Sequence, residues 1–595
     1  MMTASEAIAY IENYTWSTTR LGLDRTKELL QKLGDPQKRL KFVHVAGSNG
    51  KGSTCAMLDA ILRAAGYRTG LYTSPYIQEF CERMRVNGEN IPGETLAALT
   101  ERVKAIADGM ADHPSQFELV TAIAMQYFLE TGCEIVVLEV GMGGALDSTN
   151  AIDAPEVAVI TNLALEHTEY LGHTLSEIAA TKGGIIKRGC SVVAYPNVQE
   201  VTDVIENICR EQDAPLTWAD FDAIKPVADS LDGQVFDYVN RFGLQIPLLG
   251  AHQLKNAAMA LNVVEARRAR GWNISDESVR QGLSTTKWPA RFEVLHRAPL
   301  FLLDGGHNPQ CAEALAGCVE RYLPGLKPVF LMGVLADKDF DAMLETVLRF
   351  GKRFICLTPE NPRALSAEAL CDAIREKGGE AEAAKDIPDG IRLALESGAP
   401  VVAFGSLYLA GAIRTAFPQA IKRHQRKAAI AGREGLSPAA RAEKSARIVE
   451  AVRALPAYQS AEAVMLYSAI GAEVDLAALT ADGKRFCYPL CTSKTEMEAY
   501  IPGAWKTGAF GILEPDPARS ELVPPEEIDL VLCPCAGFDG DGNRVGMGAG
   551  YYDRYLPQCK NAAVYAVAFE AQRLELVYTD EHDRPMDGVI TEEMI

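Results

Sequence analysis

The stretch that most limits how this chain can fold runs from Val43 to Ser53 and reads VHVAGSNGKGS. β-Branched residues lead into a turn with three glycines, and an apolar run from Thr54 to Ala65 follows without a breaker. That succession predicts a strand, a loop and a helix behind it. Backbone N–H groups of Gly47, Ser48, Asn49, Gly50 and Gly52 can close on phosphates there. Lys51 can reach the outer phosphates, Ser53 falls near a metal ion, and the helix N-terminus adds partial positive charge. The spacing departs from the common GxxxxGK[ST] loop, because Gly52 separates the lysine from the serine. A tight structural turn is the competing reading, and the later motifs weigh against it.

A chain of 595 residues exceeds one hydrophobic core, so about three domains are expected. The formal net charge of -20 argues against a nucleic-acid or anionic-membrane partner. The start, Met1 to Tyr14, carries acidic residues and no continuous apolar core, unlike a signal peptide. No run of ~18 apolar residues appears. The 14 cysteines are scattered without a CxxC, which reads as reduced thiols of a cytoplasmic protein without disulfides or zinc. A monomer is expected.

Downstream of the loop, Thr69 to Thr73 reads as a strand ending in Ser74-Pro75-Tyr76. A hydroxyl at the C-terminal end of a parallel strand sits where ligands gather, although taken alone Ser74 reads better as a cap of the next turn. The strand Glu134 to Val140 delivers Glu139 into a glycine-rich turn, EVGMGGALDSTN. A carboxylate leaving an apolar strand needs a partner, and a metal ion beside a triphosphate supplies one. The strand Val157 to Leu163 ends near His167, a candidate ligand for a second cation. Lys182 lies on an otherwise apolar helical face within Ile178 to Lys187, where an unpaired ammonium is costly.

Taken in order, GSNGKGS, TSP, EVGMGGALDSTN, LEHTEYLG and TKGGIIK resemble the folylpolyglutamate synthase and dihydrofolate synthase branch of the Mur ligase family. LGAHQLKN, WPARFE and LDGGHNP continue the resemblance. It implies an α/β architecture with a P-loop ATPase domain over residues 1–289 and a smaller Rossmann-like, glutamate-binding domain over 290–419. It also implies ATP, L-glutamate and a reduced folate as substrates, with Ser74, Glu139 and His167 holding magnesium and Lys182 carbamylated. Lys51, Lys182, His167 and Glu139 would carry the chemistry. Asn256 from the first domain, with Arg291, Asp304 and His307 from the second, would close on the nucleotide. The sequence departs from the family at Ala145, where arginine is usual, and at Thr181-Lys182-Gly183, where Glu-Lys-Ala is usual.

Past Pro418 the chain continues for a further domain's length, 420–595. A basic cluster, Lys422 to Lys427, precedes Ser437-Pro438, an N-cap and first-turn pair opening a helix to Leu455. Strands at Ala463 to Tyr467, Arg485 to Tyr488, Leu530 to Cys533 and Val564 to Ala568 again predict an α/β core. The glycine run Gly537 to Arg554, with GAEVD at 471–475 and PMDGVITE at 585–592, resembles 5-formyltetrahydrofolate cyclo-ligase. That resemblance implies Lys422, Arg426, Arg544, Gly546, Gly548, Gly550, Tyr551 and Tyr552 on ATP. It further implies Asp553 and Asp587 on magnesium, and Glu473, Phe510 and Tyr551 on the folate. Met547 and Ala549 stand where some members carry basic residues. Two folate-directed ligases in one chain is the reading that follows. The alternatives are a first half that mainly adds glutamate to dihydropteroate, or one half retained as a regulatory or scaffolding module without chemistry.

Overall fold

β1 (Phe42–Ala46) is buried along its whole length, as a near-continuous apolar strand at the centre of a parallel sheet should be. The computed structural model describes residues 2–14, 22–165, 171–351, 353–508 and 512–593. Around β1 lie β2 (Thr69–Tyr72), β3 (Met84–Val86), β4 (Glu89–Asn90), β5 (Ile135–Glu139), β6 (Val157–Ile160), β7 (Ser191–Ala194) and β8 (Leu216–Trp218). Their order is β4-β3-β2-β5-β1-β6-β7-β8. β3 and β4 form an antiparallel edge on an otherwise parallel sheet.

Alternate residues serve opposite faces. Val43, Val45, Val137 and Val159 pack with residues of the helices Lys51–Ala64 and Ala251–Ala269, whereas Phe42, Val136 and Leu138 pack with those of Gln116–Glu130. β1 has β5 on one side and β6 on the other, so loops leaving these strands open a crevice at their carboxyl ends. Ahead of the helix Ala251–Ala269 stands a separate antiparallel meander of β9 (Ile224–Ser230), β10 (Gly233–Tyr238) and β11 (Arg241–Ile246).

A second sheet holds β12 (Glu293–Arg297), β13 (Leu300–Leu303), β14 (Val329–Met332), β15 (Arg353–Cys356), β16 (Glu380–Ala383) and β17 (Val401–Phe404). Its order is β12-β13-β17-β14-β15-β16, with β13 to β17 parallel.

The C-terminal region contains β18 (Ala463–Met465), β19 (Arg485–Cys491), β20 (Met497–Ile501), β21 (Trp505–Thr507), β22 (Leu513–Pro515) and β23 (Glu521–Val523). β24 (Leu530–Pro534), β25 (Gly537–Phe538), β26 (Arg544–Val545), β27 (Ala563–Val567) and β28 (Gly588–Ile590) follow. Seven of these make one sheet, β23-β20-β19-β18-β24-β27-β28; β21 pairs β22, and β25 pairs β26. Ser437 caps the helix Pro438–Ala454 by accepting the Ala440 N–H, as its sequence predicts.

Packing divides the chain into two compact units. One holds residues up to Leu295 with Phe301–Asp386 and Ala399–Arg414; the other holds His296–Leu300, Ile387–Gly398 and everything from Thr415. The boundary read at residue 420 falls inside a single helix, Leu407–Glu434, with Pro418 in its interior. A proline removes one helical hydrogen bond and crowds the preceding turn, which disfavours a helix running through that position. Burial prevails: Phe417 and Ile421 on either side are 1% and 0% exposed. All 14 cysteines are free, and Cys491 at the end of β19 is exposed. No described helix is long and apolar enough to cross a membrane.

Candidate functional site

Gly50 precedes the helix Lys51–Ala64 in a left-handed conformation, φ +87°, and a Cβ there would lie 2.4 Å from Asn256 Oδ1. No side chain caps the helix, so its first N–H groups and the positive end of its dipole are open to a ligand. The N–H groups of Ser48 and Asn49, expected on phosphates, instead donate to the Asn162 carbonyl at 2.8 and 3.2 Å, in a bridge that pins the loop to the end of β6. The Asn49 side chain is also engaged: its Nδ2 donates to Gln310 Oε1, and its Oδ1 accepts from Asn308 Nδ2 at 3.1 Å and the Cys311 thiol at 3.3 Å. Asn308 in turn caps the helix Pro309–Tyr322. Asn49 therefore holds the loop in place from two directions, a role its place in the motif does not reveal.

Lys51 Nζ donates to the Gly47 and Ser48 carbonyls at 2.8 and 3.2 Å, and Lys182 Nζ donates to the same Gly47 carbonyl at 2.9 Å. Lys182 is 2% exposed, as its apolar helix face predicts. Across the crevice, the Ser74 N–H donates to Glu139 Oε2 at 3.1 Å. Glu139 is 4% exposed. Burial raises its carboxyl above the usual range, opposed first by Lys51, then by the Ser74 N–H and Arg291. His167 and Phe510 lie outside the described residues. Ala145 donates its N–H to the Thr181 carbonyl at 2.8 Å, and its methyl is so close to Gly184 that a Cβ there would come within 2.4 Å.

Behind the loop runs a network that sequence reading missed. Thr149 Oγ1 donates to Asp147 Oδ1 at 2.5 Å, so His44 Nε2, 2.9 Å away, must donate to Thr149. His44 is therefore the Nε2–H tautomer, and its partnerless Nδ1 is a bare lone pair rather than a stranded N–H. Burial pushes the imidazole down to about 3, with the charge of Lys187 adding to it. Only a buried strand position for a histidine could have signalled this.

The far wall comes from the turn before β12 and the loop after β13. Asp304 accepts the Phe292 and Gly306 N–H groups at 2.8 and 2.7 Å, and Arg291 Nη1 donates to the Ala290 carbonyl at 2.8 Å. His307 Nδ1 lies 3.1 Å from the Gly305 carbonyl, and Asn256 Nδ2 donates to Gln253 at 3.0 Å. His252, not anticipated, joins them; burial lowers its imidazole against the pull of Asp304. Lys51, Ser74, Glu139, Lys182, Asn256, Arg291, Asp304 and His307 all line one cavity of about 270 Å³.

A second cluster belongs to the C-terminal unit. Arg426 Nε donates to the Gly546 carbonyl at 2.7 Å, and Arg544 Nη2 donates to Asp553 Oδ1 at 2.7 Å. Glu473 accepts the Ile470 N–H at 3.0 Å and faces Arg433 at 3.5 Å; burial raises its carboxyl. The Tyr551 hydroxyl donates to the Ser493 carbonyl at 3.0 Å. Three of the residues expected on ATP or magnesium are held by protein partners here. Lys422 is held by Asp580 and Asp583 at 2.8 and 2.5 Å, carboxylates that neutralise it away from the glycine loop. Asp587 accepts the Val564 N–H at 2.7 Å near the amino end of β27, whereas Asp553 is paired with Arg544. Each carboxylate thus has its own partner, and no group of three or more His, Cys, Asp or Glu side chains that could hold a metal exists among the described residues.

A glycine loop opening a helix at the switch point of a parallel sheet, with a second α/β layer closing the same cavity, defines an ATP-dependent ligase of the Mur type. Family profiles agree: Mur ligase middle domain over residues 45–264, and Mur ligase, glutamate ligase domain over 290–407. The chain belongs to the folylpolyglutamate synthase family. Folylpolyglutamate synthase of Lacticaseibacillus casei is 35% identical over 432 residues, 69% of this chain and 98% of that protein. Dihydrofolate synthase/folylpolyglutamate synthase of Bacillus subtilis is 33% identical over 425 residues, 68% of this chain and 98% of its own. The structure of Mycobacterium tuberculosis folylpolyglutamate synthase complexed with ADP and AMPPCP matches with TM-score 0.64 and 31% identity, covering 70% of this chain and 99% of that one. Beyond the segment these relatives share, residues 418–592 match the 5-formyltetrahydrofolate cyclo-ligase family, also ATP-dependent ligases.

Proposed function

We infer that the first unit joins L-glutamate to the carboxylate of a reduced folate at the cost of ATP, and that the C-terminal unit converts 5-formyltetrahydrofolate to 5,10-methenyltetrahydrofolate. The observation that carries the first reading is the single cavity in which Lys51, Glu139 and Ser74 face Arg291, Asp304 and His307. In the ligase reaction a folate carboxylate oxygen attacks the terminal phosphorus and ADP leaves. The amine of glutamate then attacks the acyl carbon, phosphate leaves, and the amine gives up a proton. Lys51 and the open N–H groups of the helix Lys51–Ala64 neutralise charge on the phosphoryl group in flight. Glu139 suits a cation: it is a buried carboxylate facing the cavity with no ion-pair partner within 4.0 Å among the described residues. Magnesium, held by Glu139 and Ser74, would supply neutralisation of the triphosphate.

The test is ADP release from purified protein given ATP, glutamate and either tetrahydrofolate or dihydropteroate. Turnover with tetrahydrofolate is expected, and turnover with dihydropteroate alone would turn the assignment to dihydrofolate synthase. Glu139→Ala should lower the rate at least about 10³-fold, and an unchanged rate would sink the role given to this carboxylate.

A further inference from the structure

The C-terminal cluster holds more hydrogen-bonding capacity than it uses. Arg433, 8% exposed at its side chain, has no hydrogen-bond partner for Nε or Nη1. Arg544 Nε and the Tyr552 hydroxyl are buried and unpartnered too. These groups are neighbours. The Arg544 guanidinium lies 5.8 Å from the Tyr552 ring centre, and the charges of Arg544, Arg433 and Glu473 all act on the thiol of Cys535, just past the end of β24. Glu473 also acts on Tyr552 and on Tyr467. Burying guanidinium N–H groups without close acceptors is costly, and Glu473, 3.5 Å from Arg433 Nη1, stands at the limit of hydrogen-bond reach and leaves Nε without a partner. Something with acceptor oxygens completes this cluster.

Its position says what. Arg426 and Arg433 are seven residues apart on the helix Leu407–Glu434, hence on one face and about 10 Å apart along the axis. Arg426 is on the Gly546 carbonyl of the glycine loop, and a Cβ on Gly546 would lie 3.1 Å from Arg544 Nη1. Arg433 stands at the other side, against Glu473. On the cyclo-ligase reading, on which this inference rests, the glycine loop takes the triphosphate and Glu473 the folate. Arg433 is then at the junction where the terminal phosphoryl group changes hands. Met547 and Ala549 stand in that loop where some members of the family carry basic residues, and Lys422 is neutralised by Asp580 and Asp583. Cationic help for the transfer must come from elsewhere.

We propose that Arg433 is a catalytic residue of the C-terminal site, donating through Nε and Nη1 to the phosphoryl group as it passes from ATP to the formyl oxygen. In that step the formyl oxygen forms a bond to the terminal phosphorus while the bridging P–O bond breaks and its electron pair leaves with ADP. N10 then attacks the formyl carbon, the C–O bond breaks with release of phosphate, and N10 loses its proton. Arg433 serves the first of these displacements, beside Arg544.

The test uses the full chain and follows methenyl product from 5-formyltetrahydrofolate and ATP. Arg433→Met should lower kcat by about 10²-fold or more while changing either KM less than about threefold, and added guanidinium should restore part of the rate to Arg433→Ala. Arg433→Lys, which keeps the charge on Glu473 but not the planar fork, should stay at least about tenfold slow and guards against a misfolded methionine variant. Wild-type kcat in Arg433→Met, or full recovery with lysine, would overturn the proposal and leave Arg433 as a structural partner of Glu473. A wild-type chain that makes no methenyl product would overturn the cyclo-ligase reading itself, and the role of Arg433 with it.

Discussion

His44 shows how one buried side chain sets the acid tolerance of the nucleotide site. In the unfolded chain it titrates near 6.5, whereas the folded protein holds it at about 3. Between those values the unfolded state binds the extra proton, so stability is full above about pH 6.5 and drains away as pH falls toward 3. The loss should reach a few kcal/mol at its acid limit. His44→Gln keeps a donor for Thr149 but cannot take the proton, so urea unfolding of this variant should lose less stability than wild type between pH 6 and pH 4, by roughly 1 kcal/mol or more. Equal slopes would show that other groups, not His44, carry the acid sensitivity. The same residue marks a limit of reading sequence. Nothing in a strand of alternating apolar residues tells whether its histidine faces a ligand or a threonine.

At the level of elements, the chain is most legible where the physics is local. β1, β5 and β6 form where apolar runs predict them, and Ser437 caps the helix that its place before Pro438 predicts. Glu139 and Lys51 stand out in the sequence because a carboxylate leaving an apolar strand and a lysine in a glycine turn have few other uses, and both line the cavity. Partners from distant segments were illegible: Asn162 under the loop, Asn308 on Asn49, Asp580 and Asp583 on Lys422, and Val564 on Asp587. The helix Leu407–Glu434 is the largest departure, since local rules stop it at Pro418 and burial carries it through. Replacing that proline should therefore stabilise. Pro418→Ala restores an N–H donor and removes the ring's crowding, and calorimetry should show a gain of about 1–3 kcal/mol. A lower unfolding temperature would mean that the proline meets a need of the helix that backbone propensity does not describe.

For the molecule as a whole, each cluster of functional side chains is drawn from a single compact unit. Lys51 and Glu139 have no counterpart role in the C-terminal cluster, nor Arg544 and Asp553 in the first. The activities should be separable by point mutation: Lys51→Ala should cut ligation about 10²–10³-fold and spare cyclisation, and Asp553→Ala, which strips Arg544 of its partner, should do the opposite. Loss of both reactions from either change in folded protein would show that the sites depend on each other. The distribution of thiols offers a way to watch one of them directly. Eleven of the 14 cysteines are buried, Cys81 and Cys311 are half-covered, and Cys491 alone is exposed, in reach of Tyr551 at the glycine loop. Limiting maleimide dye should thus modify one position without any engineering, and if the loop beside it takes ATP, as proposed above, its emission should change when ATP is added.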